Sequence, residues 1–275
     1  MYTELLDVVT TAGVLYIVAI GLLIVFGVLK IINLAHGAFL AIGSYAAVIA
    51  TRLDWNPWVA LLLAPAIGVV VAALIEWRVL RAIYSRSLDT ILATWGLNIV
   101  IVQLITLEFG REIRFAKSAM DDAITIGGVT YSKYRLVLFG LSLVLGLLVW
   151  AIMYRTQIGV VARAVIMNEE LAEALGINTR RVRFVTFCLG AGLASLAGAL
   201  ITPLVSVHPN LGVPWLINAF MLVLVAGVSL GNLALAALVL GGAQVLVSAH
   251  GNPVVGSLTI VVLSVIILRF KAITI

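Results

Sequence analysis

The chain is a succession of apolar runs broken by short polar stretches, and the runs are long enough to cross a bilayer. At about 1.5 Å per helical residue, the first run, 10–29, matches a hydrocarbon core of about 30 Å. The runs are continuous, whereas a membrane β-barrel needs strands of about ten residues with alternating polarity. Composition settles the remaining doubt. Of 275 residues 63% are hydrophobic and 11% charged, with mean hydropathy +1.22, against about 25% charged in soluble domains. The 24 glycines suit helices that approach closely within lipid. The expected fold is all-α, a polytopic membrane protein with about 8–9 transmembrane helices.

After 10–29 come runs at 31–51, 58–75, 88–107, 136–153, 184–202, 215–230, 233–249 and 254–268. The second and seventh are broken enough to be re-entrant. The whole chain, 1–275, reads as a single transmembrane domain with two polar insertions, 108–135 and 154–183. The first carries ITIGGVTYS, a small β-hairpin around Gly127-Gly128. Acidic Glu4 and Asp7 ahead of a long first run are not the pattern of a cleavable leader.

With nine crossings, the side holding 154–183 has eleven basic residues: Lys30, Arg78, Arg81, Arg86, Arg155, Arg163, Arg180, Arg181, Arg183, Arg269 and Lys271. The other side has six, namely Arg52, Arg111, Arg114, Lys117, Lys133 and Arg135. The positive-inside rule therefore makes 154–183 and the C-terminus cytoplasmic, and 108–135 and the N-terminus extracytoplasmic. Basic residues scattered between apolar runs are a topology signal, not a nucleic-acid surface. Cys188, the one cysteine, lies within an apolar run and is read as buried.

Segment 154–183 is about 30 residues long and ordered in pattern. Asn168 is placed to cap a short helix, with Glu169, Glu170 and Glu173 opposing its dipole. Ala172, Ala174, Leu175 and Ile177 supply a small apolar face. Gly176 is placed to end the helix in a left-handed conformation, and Asn178-Thr179 to start the next. Such a helix fits either a groove on a partner or a solvated connector.

The pattern G-x-x-x-R-A-x-x-x-N-x-x-x-A-x-x-x-G-I-N, from Gly159 to Asn178, resembles the coupling loop of ABC importer permeases. The string INLAHGAFLAIGSY at 32–45 is similar to the first-half signature of the branched-chain amino acid and urea/amide permease family, and the whole chain resembles its H-type permease. The resemblance implies that Arg163, Asn168, Glu169, Glu173, Gly176 and Asn178 couple the chain to an ATPase. It implies two ABC ATPase subunits, a second homologous permease, a solute-binding protein and a bacterial inner membrane. ATP and Mg would sit on the ATPases, since this chain has no G-x-x-x-x-G-K-[ST] loop and is not expected to be an enzyme or to carry a cofactor. Ala38 departs from a commonly acidic family position. The strings LDTILATWGLNIV and VPWLINAFMLVLVAG lean towards the urea and amide branch.

Polar groups inside a membrane face neighbours or a water-filled path. Asn33 and His36 sit at the break between the first two runs, either lining a route or capping a turn. Thr90, Thr94 and Asn98 recur at i, i+4, i+8 on one face, for pore lining or for helix–helix hydrogen bonding. Asn218 and Gln244 are further path candidates. Small residues Gly190, Ala194 and Gly198 form a tight packing surface, for this chain or a partner permease. No HExxH-like metal motif or catalytic pairing of His36, His208 or His250 is readable. Lacking a strong charge at mid-membrane, the chain is expected to pass a small neutral or zwitterionic solute, which the family resemblance narrows to a branched-chain amino acid or urea/short amide. A passive channel and a structural membrane subunit are the competing classes.

Overall fold

The computed structural model describes residues 2–84, 86–126 and 128–273. In chain order the helices are α1 (Tyr2–Leu29), α2 (His36–Arg52), α3 (Ala60–Arg78), α4 (Ser87–Phe109), α5 (Lys133–Arg155), α6 (Gln157–Met167), α7 (Glu169–Ala174), α8 (Thr179–Ile201), α9 (Gly212–Ala226), α10 (Leu230–His250) and α11 (Pro253–Ile273). Nine of these follow the nine apolar runs, and α6 and α7 occupy the charged segment between α5 and α8. Seven are long and apolar enough to cross a membrane. Strands β1 (Ala123–Ile126) and β2 (Val129–Ser132) pair antiparallel with Ile126 opposite Val129. Gly127, half of the expected turn, lies outside the described residues.

Helix α1 is buried along most of its length, with α5, α8, α9 and α10 packed around it. Against it and α2 lies α8, whose small residues let backbones approach to near contact. The Ser195 hydroxyl donates to Phe39 O at 3.0 Å, and Ser44 donates to Gly198 O at 3.0 Å. A Cβ on Gly43 would collide with Ser195 O, and one on Gly198 with Leu40 O. The Gly190, Ala194, Gly198 face is thus covered within this chain. Cys188 is buried and unbridged.

One end of the bundle gathers the start of α1, the hairpin and the 110–120 segment. There Asp7 accepts from Tyr131 at 2.8 Å and pairs with Arg135 at 3.2 Å, while Lys117 bonds Asp54 at 2.8 Å. The opposite end gathers the last turn of α1 with α6, α7 and the start of α8. Val28, Ala162, Val165 and Ala172 form a separate apolar cluster there.

Helices α2 and α9 are the exceptions to full crossing. They have 17 and 15 residues, about 25 Å and about 22 Å at the helical rise. Both begin partway through the bundle. The His36 ring, in the first turn of α2, donates to the carbonyl of Val18, near the middle of α1, at 2.9 Å. Gly212, the first residue of α9, abuts Gly37, and a Cβ there would strike Gly37 O. The 30–35 segment therefore returns into the bundle as non-helical chain. Such backbone is tolerated at membrane depth where protein buries it.

Candidate coupling segment and translocation route

Thr156 sets the elbow between α5 and α6. Its hydroxyl donates to Ile152 O at 2.6 Å, in the last turn of α5, and accepts from Gly159 N, in the first turn of α6, at 3.3 Å. Helix α6 ends at Met167, and Asn168 closes it and opens α7 at once. Its N–H donates to Ala164 O at 3.0 Å, and its Oδ1 accepts from Leu171 N at 3.0 Å. Glu169 and Glu170 fill the first turn of α7, where negative charge complements the dipole.

Gly176 ends α7 at φ +87, a left-handed conformation costly for a side chain with a Cβ. Its N–H donates to Glu173 O at 2.9 Å, and Ile177 N donates to Ala172 O at 3.0 Å, the paired bonds of a Schellman cap. Asn178 then caps α8, its Oδ1 accepting from Arg181 N at 3.0 Å. Local caps at Asn168, Gly176 and Asn178 thus hold a six-residue helix that propensity alone would not sustain.

Two of the expected apolar-face residues turn inward. Ala172 is 2% exposed, against Val28 and Val165, and Ile177 packs on the same cluster. The outward apolar stripe is instead Met167, Leu171 and Leu175, exposed by 83%, 57% and 74%. Their i, i+4, i+8 spacing is visible in the sequence, but the α6–α7 break at Asn168 obscures it. Glu170, Glu173 and Asn178 are exposed around the stripe. Arg163 is half-buried with its guanidinium over the Tyr154 ring at 5.0 Å, and its Nη1 finds no hydrogen-bond partner among the described residues.

A further set of groups was not legible from spacing. Arg183 of α8 pairs with Glu169 of α7 and lies over the Tyr84 ring at 5.4 Å. Burial raises the Tyr84 phenol pKa; the nearby Glu76 carboxylate raises it further and Arg183 opposes. Glu76, near the end of α3, is itself buried. This cluster joins α7 and α8 to the α3–α4 connection.

The expected path residues fall at several places. Asn33 Oδ1 accepts from Ala35 N at 3.1 Å and its carbonyl accepts from His36 N at 3.3 Å, so Asn33 organises the break before α2. Thr90, Thr94 and Asn98 are all buried. Thr94 Oγ accepts from Leu34 N at 3.2 Å and donates to Ile91 O at 2.8 Å, and Thr90 donates to Ile83 O at 2.8 Å. Asn98, one turn beyond Thr94 and 5% exposed, keeps an Oδ1 with no hydrogen-bond partner among the described residues. The stripe thus faces this chain's own interior, beside the 30–35 return. Asn218 is half-buried on α9. Gln244 sits where α10 crosses α11: Gly256 lies against its carbonyl, and its Oε1 is buried without a hydrogen-bond partner among the described residues. Thr94 meets the 33–36 break through Leu34 N, and among the described residues no hydrogen bond joins Asn218 or Gln244 to Asn33, His36 or Thr94.

Residues 4–270 match the family described as branched-chain amino acid transport system, permease component. The high-affinity branched-chain amino acid transport system permease protein LivH of Salmonella typhimurium is 27% identical, over 90% of this chain and 86% of that one. BraD of Pseudomonas aeruginosa, named for the same transport, is 26% identical over 88% and 84%. LivM of Escherichia coli (strain K12) is 26% identical over 70% of this chain and 51% of its own length. Among solved structures, a chain of PsaBC from Streptococcus pneumoniae, in complex with Fab, shares the fold with TM-score 0.53 at 16% identity. That alignment covers 96% of this chain and 90% of that one.

Proposed function

Because the chain belongs to the family of branched-chain amino acid transport permease components, and is an ABC importer permease of the H-type, we propose that its cargo is a branched-chain aliphatic amino acid delivered by a solute-binding protein. ATP and Mg are used by two partner ATPase subunits, and a second, related permease completes the membrane part. The observation that carries this reading is the clasped α7, with Met167, Leu171 and Leu175 facing outward beside Glu170 and Glu173. A short amphipathic helix held rigidly outside the bilayer is suited to a groove on an engine subunit.

In this reading Asn168, Gly176 and Asn178 hold the knob, Glu169 ties it to α8, Glu173 stands at its rim and Arg163 anchors it on α5. The end bearing α6 and α7 is cytoplasmic and the N-terminus outside, as the excess of basic residues favours. ATP-driven closure of the ATPases moves α7, and through the Val28 cluster the last turn of α1. The α2 and α9 starts, which meet at mid-bundle, re-pack to open the route to one side at a time. Asn33, His36, Thr94 and Asn98 lie at or beside that junction. Asn218 and Gln244 extend the route along α9 and α10.

Reconstitution of the full complex tests this. ATP-dependent uptake of leucine, absent when ATPases or binding protein are omitted, is the expected result. Flux through this chain alone, or uptake of urea in place of leucine, overturns it. Asn98→Leu is expected to change uptake kinetics with assembly intact.

A further inference from the structure

Helices α5 and α10 both pack on α1 and leave a gap between them, a groove of about 520 Å³ within the membrane-spanning part of the bundle. Tyr16 of α1 lies on its lining. Leu143 and Leu147 of α5 and Leu238 of α10 are exposed along it, so the groove opens sideways towards lipid. Its volume is in the range of sites that hold one small organic molecule, about 300–1,000 Å³. At the end nearer α6 the lining includes Trp150.

Trp150 leads directly to positive charge. The Arg155 guanidinium lies over the Trp150 ring at 5.6 Å, Tyr154 lies beside Trp150 with ring centroids 5.9 Å apart, and Arg163 lies over the Tyr154 ring at 5.0 Å. Neither arginine pairs with a carboxylate among the described residues. An apolar slot that ends in a tryptophan, a tyrosine and two unpaired guanidinium groups has the chemistry of a phospholipid: chain in hydrocarbon, aromatic rings at the interface, cation at the phosphate.

We propose that this groove holds one anionic glycerophospholipid of the surrounding bilayer, an acyl chain between α5 and α10 and its phosphate at Arg155. The lipid belongs to the leaflet on the α6–α7 side. It fills the flank of α1 beside the elbow that carries α6, so it supports the base of the outward knob. The proposal needs only the membrane character of the chain and stands apart from the choice of cargo.

Native mass spectrometry of the full chain, purified in detergent and offered phosphatidylglycerol or phosphatidylcholine with identical chains, reads it. Phosphatidylglycerol is expected to be retained over phosphatidylcholine, and Arg155→Glu to lower its retention by about fivefold or more, one guanidinium near a lipid phosphate contributing about 1 kcal/mol. Ala234→Phe, an exposed groove position that a ring fills without displacing the core, is expected to lower retention of both lipids. Should either variant fold poorly, the same question is asked of the wild type. Phosphatidylglycerol brominated on its chain is expected to quench the fluorescence lost in Trp150→Phe. Equal retention of the two lipids, unchanged retention in both variants, no quenching of Trp150, or a disulfide from Leu238→Cys to a second permease in the complex overturns the proposal.

Discussion

The carboxylate of Glu169, at the first position of α7, meets the guanidinium of Arg183, in the second turn of α8, and both groups are about a quarter exposed. The pair closes the covalent loop formed by α7, its glycine cap and the start of α8. It keeps the short helix from swinging away from the bundle. Charge-assisted bonds of this kind are worth more than exposed ones because neighbours displace part of the water.

Arg183→Gln is expected to cost about 1.5 kcal/mol in the position of α7, a tenfold change in the population of the docked arrangement. ATP-driven uptake should fall accordingly, and the exchange Glu169→Arg with Arg183→Glu should recover part of it. An unchanged uptake rate in Arg183→Gln would show that the pair does not transmit force.

At Gly176 the left-handed backbone makes any Cβ costly by about 1–2 kcal/mol. Gly176→Val should unwind the end of α7, abolishing coupled transport while the permease still assembles. Gly176→Asn should be milder, since Asn tolerates that conformation. Hydrogen exchange across 169–177 checks the order of effects, and equal protection in Val and Asn variants would contradict it.

Leu171 is exposed and contributes little to the fold. Leu171→Asp is therefore expected to leave the melting temperature of the isolated chain within a degree or two, yet to remove co-purification with the ATPase subunits. Retained co-purification would exclude the Met167, Leu171, Leu175 stripe as the docking face.

Two glycines offer a matched contrast. Gly212→Ala drives a methyl group into Gly37 O, where α2 and α9 begin, and overpacking of this sort costs about 1–3 kcal/mol. Gly96→Ala on α4 meets nothing within 4 Å and removes backbone freedom, so it should be neutral or stabilising by up to about 1 kcal/mol. Thermal denaturation in detergent should separate the two variants in that order.

The Lys117–Asp54 contact holds the 110–120 segment against the α2–α3 turn. Hydrogen bonding to Lys117 keeps the Asp54 carboxyl below its ordinary range, and the same bond raises Lys117. The contact therefore contributes above the unfolded carboxylate value of about 3.9 and fades as pH falls through the lower folded value. It contributes below about 10.4 and fades as pH rises through the raised lysine value. The Lys117 amide, which donates to Thr51 Oγ at 3.1 Å, reports it. Its exchange protection should stay level through neutral pH and drop at both extremes; a drop between pH 5 and 8 would contradict the assignment.

The nine apolar helices were legible because length and hydropathy are local properties. So were the caps at Asn168, Gly176 and Asn178, each of which depends on residues within four positions. Depth was not. Hydropathy counts residues without locating their start, so the mid-bundle meeting of Gly37 and Gly212 could not be read from runs 31–51 and 215–230. Direction was lost as well: the spacing of Thr90, Thr94 and Asn98 defines one face, but only α2 and the 30–35 return fix where it points. The Glu169–Arg183 pair and the Glu76–Tyr84 neighbourhood arise from helices brought together by the fold, and nothing in their separation along the chain announces them.

The cluster that seats Ala172 on Val28 has a mechanical consequence. In the coupling proposed above, a lever delivers its stroke where its short arm is pinned, and that point is the end of α1, an enclosed helix, not the lipid-facing rim. The outer helix α11, which packs on α10 and α9 and away from α6 and α7, can tilt to follow the thickness of the surrounding bilayer without altering the throw. In that proposal the stroke belongs to the hub, and the rim acts as suspension.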